Sequence, residues 1–173
     1  MNYLNEYKDS REALNTYYLK TIHHEFTHIL HQTVEFSTAY QFITTDYKVD
    51  KCFNREFADF LSRGFITDYA QKNYHEDFAE MVSTYVTNTE EEWEALLKKA
   101  SYAPKKDKDG NLVYDANGSV IADTTTKANG RDLIEQKLSI MRSYMQDQWG
   151  IDIDELRASI LQRENDVVNG KVD

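Results

Sequence analysis

His24-Glu25-Phe26-Thr27-His28 sets two imidazoles four residues apart with a carboxylate beside the first, a pattern whose chemistry is metal-assisted hydrolysis. On a helix the two histidines lie about 40° apart on one face and one turn apart along the axis, so both rings can reach one ion. Glu25 stands about 100° round from His24, too far to be an equivalent ligand but near enough to approach a water on the metal. In a chain of 173 residues with 5 His, such a spacing arises by chance about 1 % of the time, so coincidence is a poor explanation.

A catalytic zinc ion takes three protein ligands and keeps a fourth position open. The single cysteine, Cys52, excludes a multi-cysteine site and an internal disulfide framework, so the third ligand must be His or a carboxylate. Asn73-Tyr74-His75-Glu76-Asp77-Phe78-Ala79-Glu80 supplies candidates, with Glu76 and Glu80 one turn apart on a face opposite Phe78, Met81, Val82 and Tyr85. Alone, that pair has the pattern of a solvated face; beside the histidine pair it becomes a candidate ligand set. His31 lies seven residues from His24, about 10.5 Å along a helix axis, so it cannot share the same ion comfortably. A place in the cleft wall or behind a ligand, and a plain surface position, both remain open for it. His23 falls on the wrong side and is expected to be structural, His75 belongs to the region of a helix cap, and Cys52 is most simply a small buried hydrophobe.

The elements that must carry these residues are mostly helices. From about Ser10 to Phe36 there is no Gly or Pro; Asp9 or Ser10 can cap the start, and Leu19, Ile22, Phe26, Ile29 and Leu30 recur at helical spacing. The periodicity predicts one long amphipathic helix whose Ile22, Phe26, Ile29 and Leu30 side is buried, turning the histidines to a cleft. Shorter helices are predicted after Asn54, ending near Gly64, and from about His75 to Val86. A capping box at Thr89-Glu90-Glu91-Glu92 should start a helix that stops before Pro104. Two further helices are predicted from about Arg131 to Trp149 and Asp152 to Arg163. Between them, turn residues around Gly110 and Gly118 flank Leu112-Val113-Tyr114 and Ser119-Val120-Ile121, which predicts a β-hairpin with an Asn-Gly turn. The acidic residues there do not follow the order of a calcium loop.

Bulk properties narrow the partners. With 20 Lys+Arg against 30 Asp+Glu the formal charge is −10, and no basic cluster could track a phosphate backbone, so nucleic acid is not an expected partner. No apolar run approaches the ~20 residues that span a bilayer, and Met1 to Glu6 lacks the features of a signal peptide. The chain is therefore expected to be soluble as it stands, and residues 1–173 to form one domain.

Tyr69, Glu76 and Glu80 following a His-Glu-Phe-Thr-His helix resemble the lethal-factor-type gluzincins. They resemble more closely the zinc metallopeptidase lipoproteins of gut-type Bacteroidetes associated with nutrient import, in which Glu-Asp-Phe-Ala-Glu, here Glu76 to Glu80, follows the first motif. In those proteins a stretch like Trp149 to Arg157 closes the domain. The resemblance extends from about Tyr18 onwards. It implies Zn2+ as cofactor, with His24, His28 and Glu76 as ligands and Glu25 as general base. Tyr69 would serve a developing oxyanion, and Glu80 would orient a ligand imidazole. The implied substrate is a peptide or protein, with a partner in a surface nutrient-uptake system. The implied address is the cell surface, as a lipoprotein, although no lipobox cysteine stands near the N-terminus. Zincins place a sheet before the motif helix, and here only 23 residues precede His24. The expected fold is accordingly a mainly α, zincin-like helical domain with one hairpin insertion at about 105–126 and without most of the usual N-terminal sheet. That loss bears on substrate binding more than on metal binding, and leaves a zinc-binding but catalytically inactive module as the alternative.

Overall fold

The computed structural model describes residues 10–171, with Tyr17 described in its backbone alone. The fold is mainly α, with one small sheet. Ser10 caps the first helix, its hydroxyl accepting from the Ala13 amide at 3.0 Å; Asp9, the other candidate, lies outside the described residues. The predicted long helix is three segments in line: α1 (Arg11–Leu14), a wider π-type stretch (Asn15–Leu19) and α2 (Lys20–Thr33). It ends before Phe36 because Val34 turns extended, at φ −135° and ψ 114°. The Val34 carbonyl then accepts from the Tyr144 hydroxyl at 2.6 Å.

Helix α3 (Tyr74–Thr87) is the centre of the molecule, and every residue from Asp77 to Thr87 on it is buried. Asn73 starts it, accepting from the amides of His75 and Glu76 at 3.0 Å each. That donor set explains why His75, expected at the cap, is already in the first turn. Phe78, Met81, Val82 and Tyr85 enter the core as their spacing predicts. α2 and α3 run antiparallel and are tied at both ends. At one, Arg11 and Asn15 donate to the Thr87 carbonyl at 3.2 and 3.0 Å. At the other, Phe36 stacks on Phe78 with ring centroids 4.0 Å apart.

The face by which α2 packs corrects the sequence reading. Ile22, Phe26 and Ile29 are 56 %, 50 % and 60 % exposed, whereas His24, Thr27, Leu30 and His31 are buried against α3. Of the predicted apolar side only Leu30 reaches the core. The physical reason is that α3 presents Glu76 and Glu80 on that side, and their carboxylates need partners which, on α2, the histidine face supplies and the apolar face does not.

The rest braces this pair. The helix predicted after Asn54 is two 3-10 turns (Arg55–Phe57 and Phe60–Arg63) closed by Gly64 at φ +85°, a left-handed conformation that favours glycine. A further 3-10 turn, Tyr69–Gln71, leads into α3. Helix α4 (Glu90–Ala100) opens with the capping box at Thr89 and Glu92. Strands β1 (Tyr102–Pro104) and β2 (Ala122–Lys127) pair antiparallel. Beyond them lies the predicted hairpin, reduced to single bridges at Lys106–Leu112 and Tyr114–Val120. Its turn runs from Asp115 to Gly118, the Asp115 carboxylate accepting from the Asn117 and Ser119 amides at 2.9 Å. The turn is thus longer than a two-residue Asn-Gly loop. Helix α5 (Gly130–Trp149) follows as expected, and α6 (Ile153–Val168) runs five residues past the predicted end at Arg163. From α5, Lys137 reaches Asp77 on α3 at 2.6 Å and the Gly64 carbonyl at 2.7 Å, with both charged side chains fully buried. No described helix is long and apolar enough to cross a membrane.

Candidate metal centre

Three ligand-type atoms from the two tied helices meet between α2 and α3. His24 Nε2 and His28 Nε2 lie 3.0 Å apart, and each lies 3.1 Å from Glu76 Oε2. Two ligands on a tetrahedral zinc at about 2.05 Å stand about 3.3 Å apart, so the triangle has the size a zinc ion needs.

The far side of each imidazole also fits that use. His24 Nδ1 is 2.8 Å from Glu80 Oε1, and His28 Nδ1 is 2.7 Å from His31 Nε2. In the tautomers these contacts favour, both Nδ1 atoms carry hydrogen and both Nε2 lone pairs converge with the Glu76 carboxylate. Three lone pairs facing one another at about 3 Å repel unless a cation lies among them, which is the condition of a metal site.

The carboxylates are held ionised. Burial works against the charge of Glu76, but Lys72 and Tyr69 outweigh it and the carboxyl is lowered. Lys72 Nζ donates to Glu76 Oε1 at 2.9 Å and to the Tyr69 hydroxyl at 2.9 Å, while that hydroxyl donates to Glu76 Oε1 at 3.1 Å. One Glu76 oxygen is thereby engaged and the other left for an ion. Burial likewise opposes the Glu80 charge, yet His24, Lys20 and Thr67 bring the carboxyl down to about 2. The Thr67 hydroxyl donates to Glu80 Oε2 at 2.8 Å, and Lys20 Nζ lies 3.3 Å from the same oxygen. His24 is shifted up: burial disfavours its charge, but Glu80, Glu76 and Glu25 prevail. His31 is shifted down, chiefly by burial and then by His75 and His28.

Of the residues singled out in the sequence, His24, His28, Glu76, Glu80, Tyr69 and His31 come together here. Glu25 is exposed beside them on the outer side of α2. His31 is buried rather than on the surface, with its Nε2 2.7 Å from His28 Nδ1. Lys72, Thr67 and Lys20 were missed. Lys20 stands four residues before His24 on α2, a spacing that puts a cation on the same helical face and could have flagged it; Lys72 lies before the α3 cap, where no such spacing rule applies.

The protein is helical, with a two-histidine, one-carboxylate cluster that could hold a metal ion on an antiparallel helix pair. A family described as "Putative zinc-binding metallo-peptidase" matches residues 1–154, and the chain belongs to it. The cofactor that membership assigns is Zn2+. None of the curated proteins matches. Among solved structures, the chain is similar to a "putative zinc-binding metallo-peptidase from Bacteroides caccae ATCC 43185", with a TM-score of 0.76 and 29 % identity. All of this chain is covered, and 56 % of that one, so the chain spans little more than half the length of its structural neighbour.

Proposed function

We propose that the chain acts as a zinc-dependent peptidase whose ion is held by His24, His28 and Glu76. The observation that carries this is the triangle of His24 Nε2, His28 Nε2 and Glu76 Oε2, with edges of 3.0, 3.1 and 3.1 Å. When bound there, zinc would polarise a scissile carbonyl and make water a stronger nucleophile at neutral pH. The chain's own residues divide the remaining work. Glu25 takes the proton of the attacking water and passes it to the leaving amine. Tyr69 serves the developing oxyanion; its hydroxyl proton leaves Glu76 Oε1 for the substrate, and Lys72 remains to hold that oxygen. Glu80 and His31 keep the two imidazoles oriented. This is the division of roles that the gluzincin resemblance implies.

One observation favours the second reading, a zinc-binding module of low activity. The outer side of α2 next to Glu25 is open among the described residues, with Ile22, Phe26 and Ile29 uncovered. Strand β1 packs on α4 and the Phe60–Arg63 turn, and among the described residues no strand lies along α2 to offer a peptide backbone its hydrogen bonds. Cleavage of a peptide library by the zinc-loaded chain, compared with Glu25→Gln, separates the two. Products that vanish in the variant support the peptidase. Intact zinc binding with no cleavage by either protein leaves the module.

A further inference from the structure

A second group of metal-ligand side chains lies next to the first, and of its three members only His31 has a role above. His31, Glu35 and His75 each offer one ligand atom, and these atoms lie within 4.8 Å of one another. Glu35 stands four residues after His31, just past the end of α2, and His75 stands immediately before Glu76 on α3. The first site takes two histidines from α2 and a carboxylate from α3. This group takes a histidine and a carboxylate from the α2 side and a histidine from α3, the same donor set with the carboxylate and one histidine on opposite helices from before.

We propose that His31, Glu35 and His75 form a second, weaker site for a divalent transition-metal ion of the Zn2+ or Co2+ kind. Two imidazoles and a carboxylate suit such ions. The Glu35–His75 edge, 3.3 Å from Oε1 to Nε2, already has the separation of two ligands on tetrahedral zinc, about 3.3 Å. His31 lies against His75 with ring centroids 4.7 Å apart and planes within 6°. Bringing the remaining edges to ligand distance takes rotation of Glu35, which is 52 % exposed, and of His75, 36 % exposed, whose ring must shift against those of His31, Phe36 and Tyr74. Glu35 has no Lys or Arg ion pair among the described residues, so its charge is available.

The site is weaker because it shares an imidazole. His31 Nε2 sits 2.7 Å from His28 Nδ1, so a cation drawing on His31 competes with the support His31 gives His28. Filling the second site therefore loosens the first, and by reciprocity a filled first site weakens the second.

The test is titration of the metal-free 173-residue chain with Zn2+ and, separately, with Co2+, read by calorimetry and by the visible absorption of cobalt. Two equivalents are expected, the second weaker. Glu35→Gln and His75→Ala, at partly exposed positions that leave the fold intact by circular dichroism, should each lose the second equivalent and keep the first. His24→Ala should lose the first and keep the second. No cleavage is read, so the result stands apart from whether the chain is a peptidase. A single equivalent in the wild type overturns the proposal. So does a second one that survives both Glu35→Gln and His75→Ala, or a loss in those variants confined to the first equivalent, which would make the trio a support for His28.

Discussion

The two sides of α2 contrast sharply. One carries His24, Thr27 and His31 and is buried against α3; the other carries Ile22, Phe26 and Ile29 and is half open to solvent. Hydropathy alone would have reversed them. What decides is that α3 is buried from Asp77 to Thr87 and the Glu76 side chain is only 13 % exposed, so its carboxylates cannot turn to water and must be met by donors from a neighbour. The histidine face meets Glu76 and Glu80, and Lys20, Lys72, Thr67 and Tyr69 complete the set. Burial here follows a satisfied polar network, and apolar surface is left outside as the consequence. The contrast yields predictions of graded size.

The largest effect is expected behind the network. Lys137 and Asp77 are a fully buried pair that fastens α3 to α5, one residue from Glu76. Removing one partner of such a pair leaves a charge without compensation and costs about 3–5 kcal/mol. Lys137→Met should lower the stability measured by urea unfolding by about that amount, and a change under about 1 kcal/mol would show that the pair does not anchor the buried face.

Next comes Glu80. Glu80→Gln should keep the fold and weaken zinc affinity by about 10- to 100-fold, because a neutral amide supports the His24 imidazole poorly. Chelator competition gives the value, and unchanged affinity would return Glu80 to a bystander.

How far the sequence carried these conclusions varies with range. The His24 to His28 spacing, the Thr89 capping box and the Phe78 to Tyr85 stripe are local patterns, and each holds in the structure. Periodicity, however, gives angles around a helix and not which angle faces the core, so the packing face of α2 could not be read from Ile22, Phe26 and Ile29. Nor could the Lys137–Asp77 contact, since its partners are 60 residues apart. The end of α2 at Thr33 depends on Tyr144, 110 residues further on.

A third prediction concerns a buried carboxylate with thinner support. Glu164 on α6 is raised to about 7 by burial, against the pull of Arg11, whose Nη1 lies 3.4 Å away. A carboxyl raised in the fold is disfavoured when ionised, so stability is retained below the ordinary value near 4.5 and lost as pH rises through about 7. Discounted for solvent screening, the loss is about 1–2 kcal/mol. Relative to Glu164→Gln, the wild type should lose that much between pH 4.5 and 8; a difference independent of pH would contradict it.

The smallest effect belongs to the apolar side. Ile22→Ser or Ile29→Ser should change stability by no more than about 0.5 kcal/mol, because the side chains are already in water. A loss above about 1.5 kcal/mol, the scale of burying such a side chain, would mean that this face is covered in solution and would break the contrast.

The most direct test is zinc affinity measured by chelator competition for the wild type, His24→Ala, His28→Ala, Glu76→Gln and Glu25→Gln. One tight zinc is expected in the wild type and in Glu25→Gln, whose side chain lies outside the triangle, and loss of tight binding in each of the other three. Tight zinc retained by Glu76→Gln would contradict the account, since it would place the ion away from the point where His24, His28 and Glu76 converge.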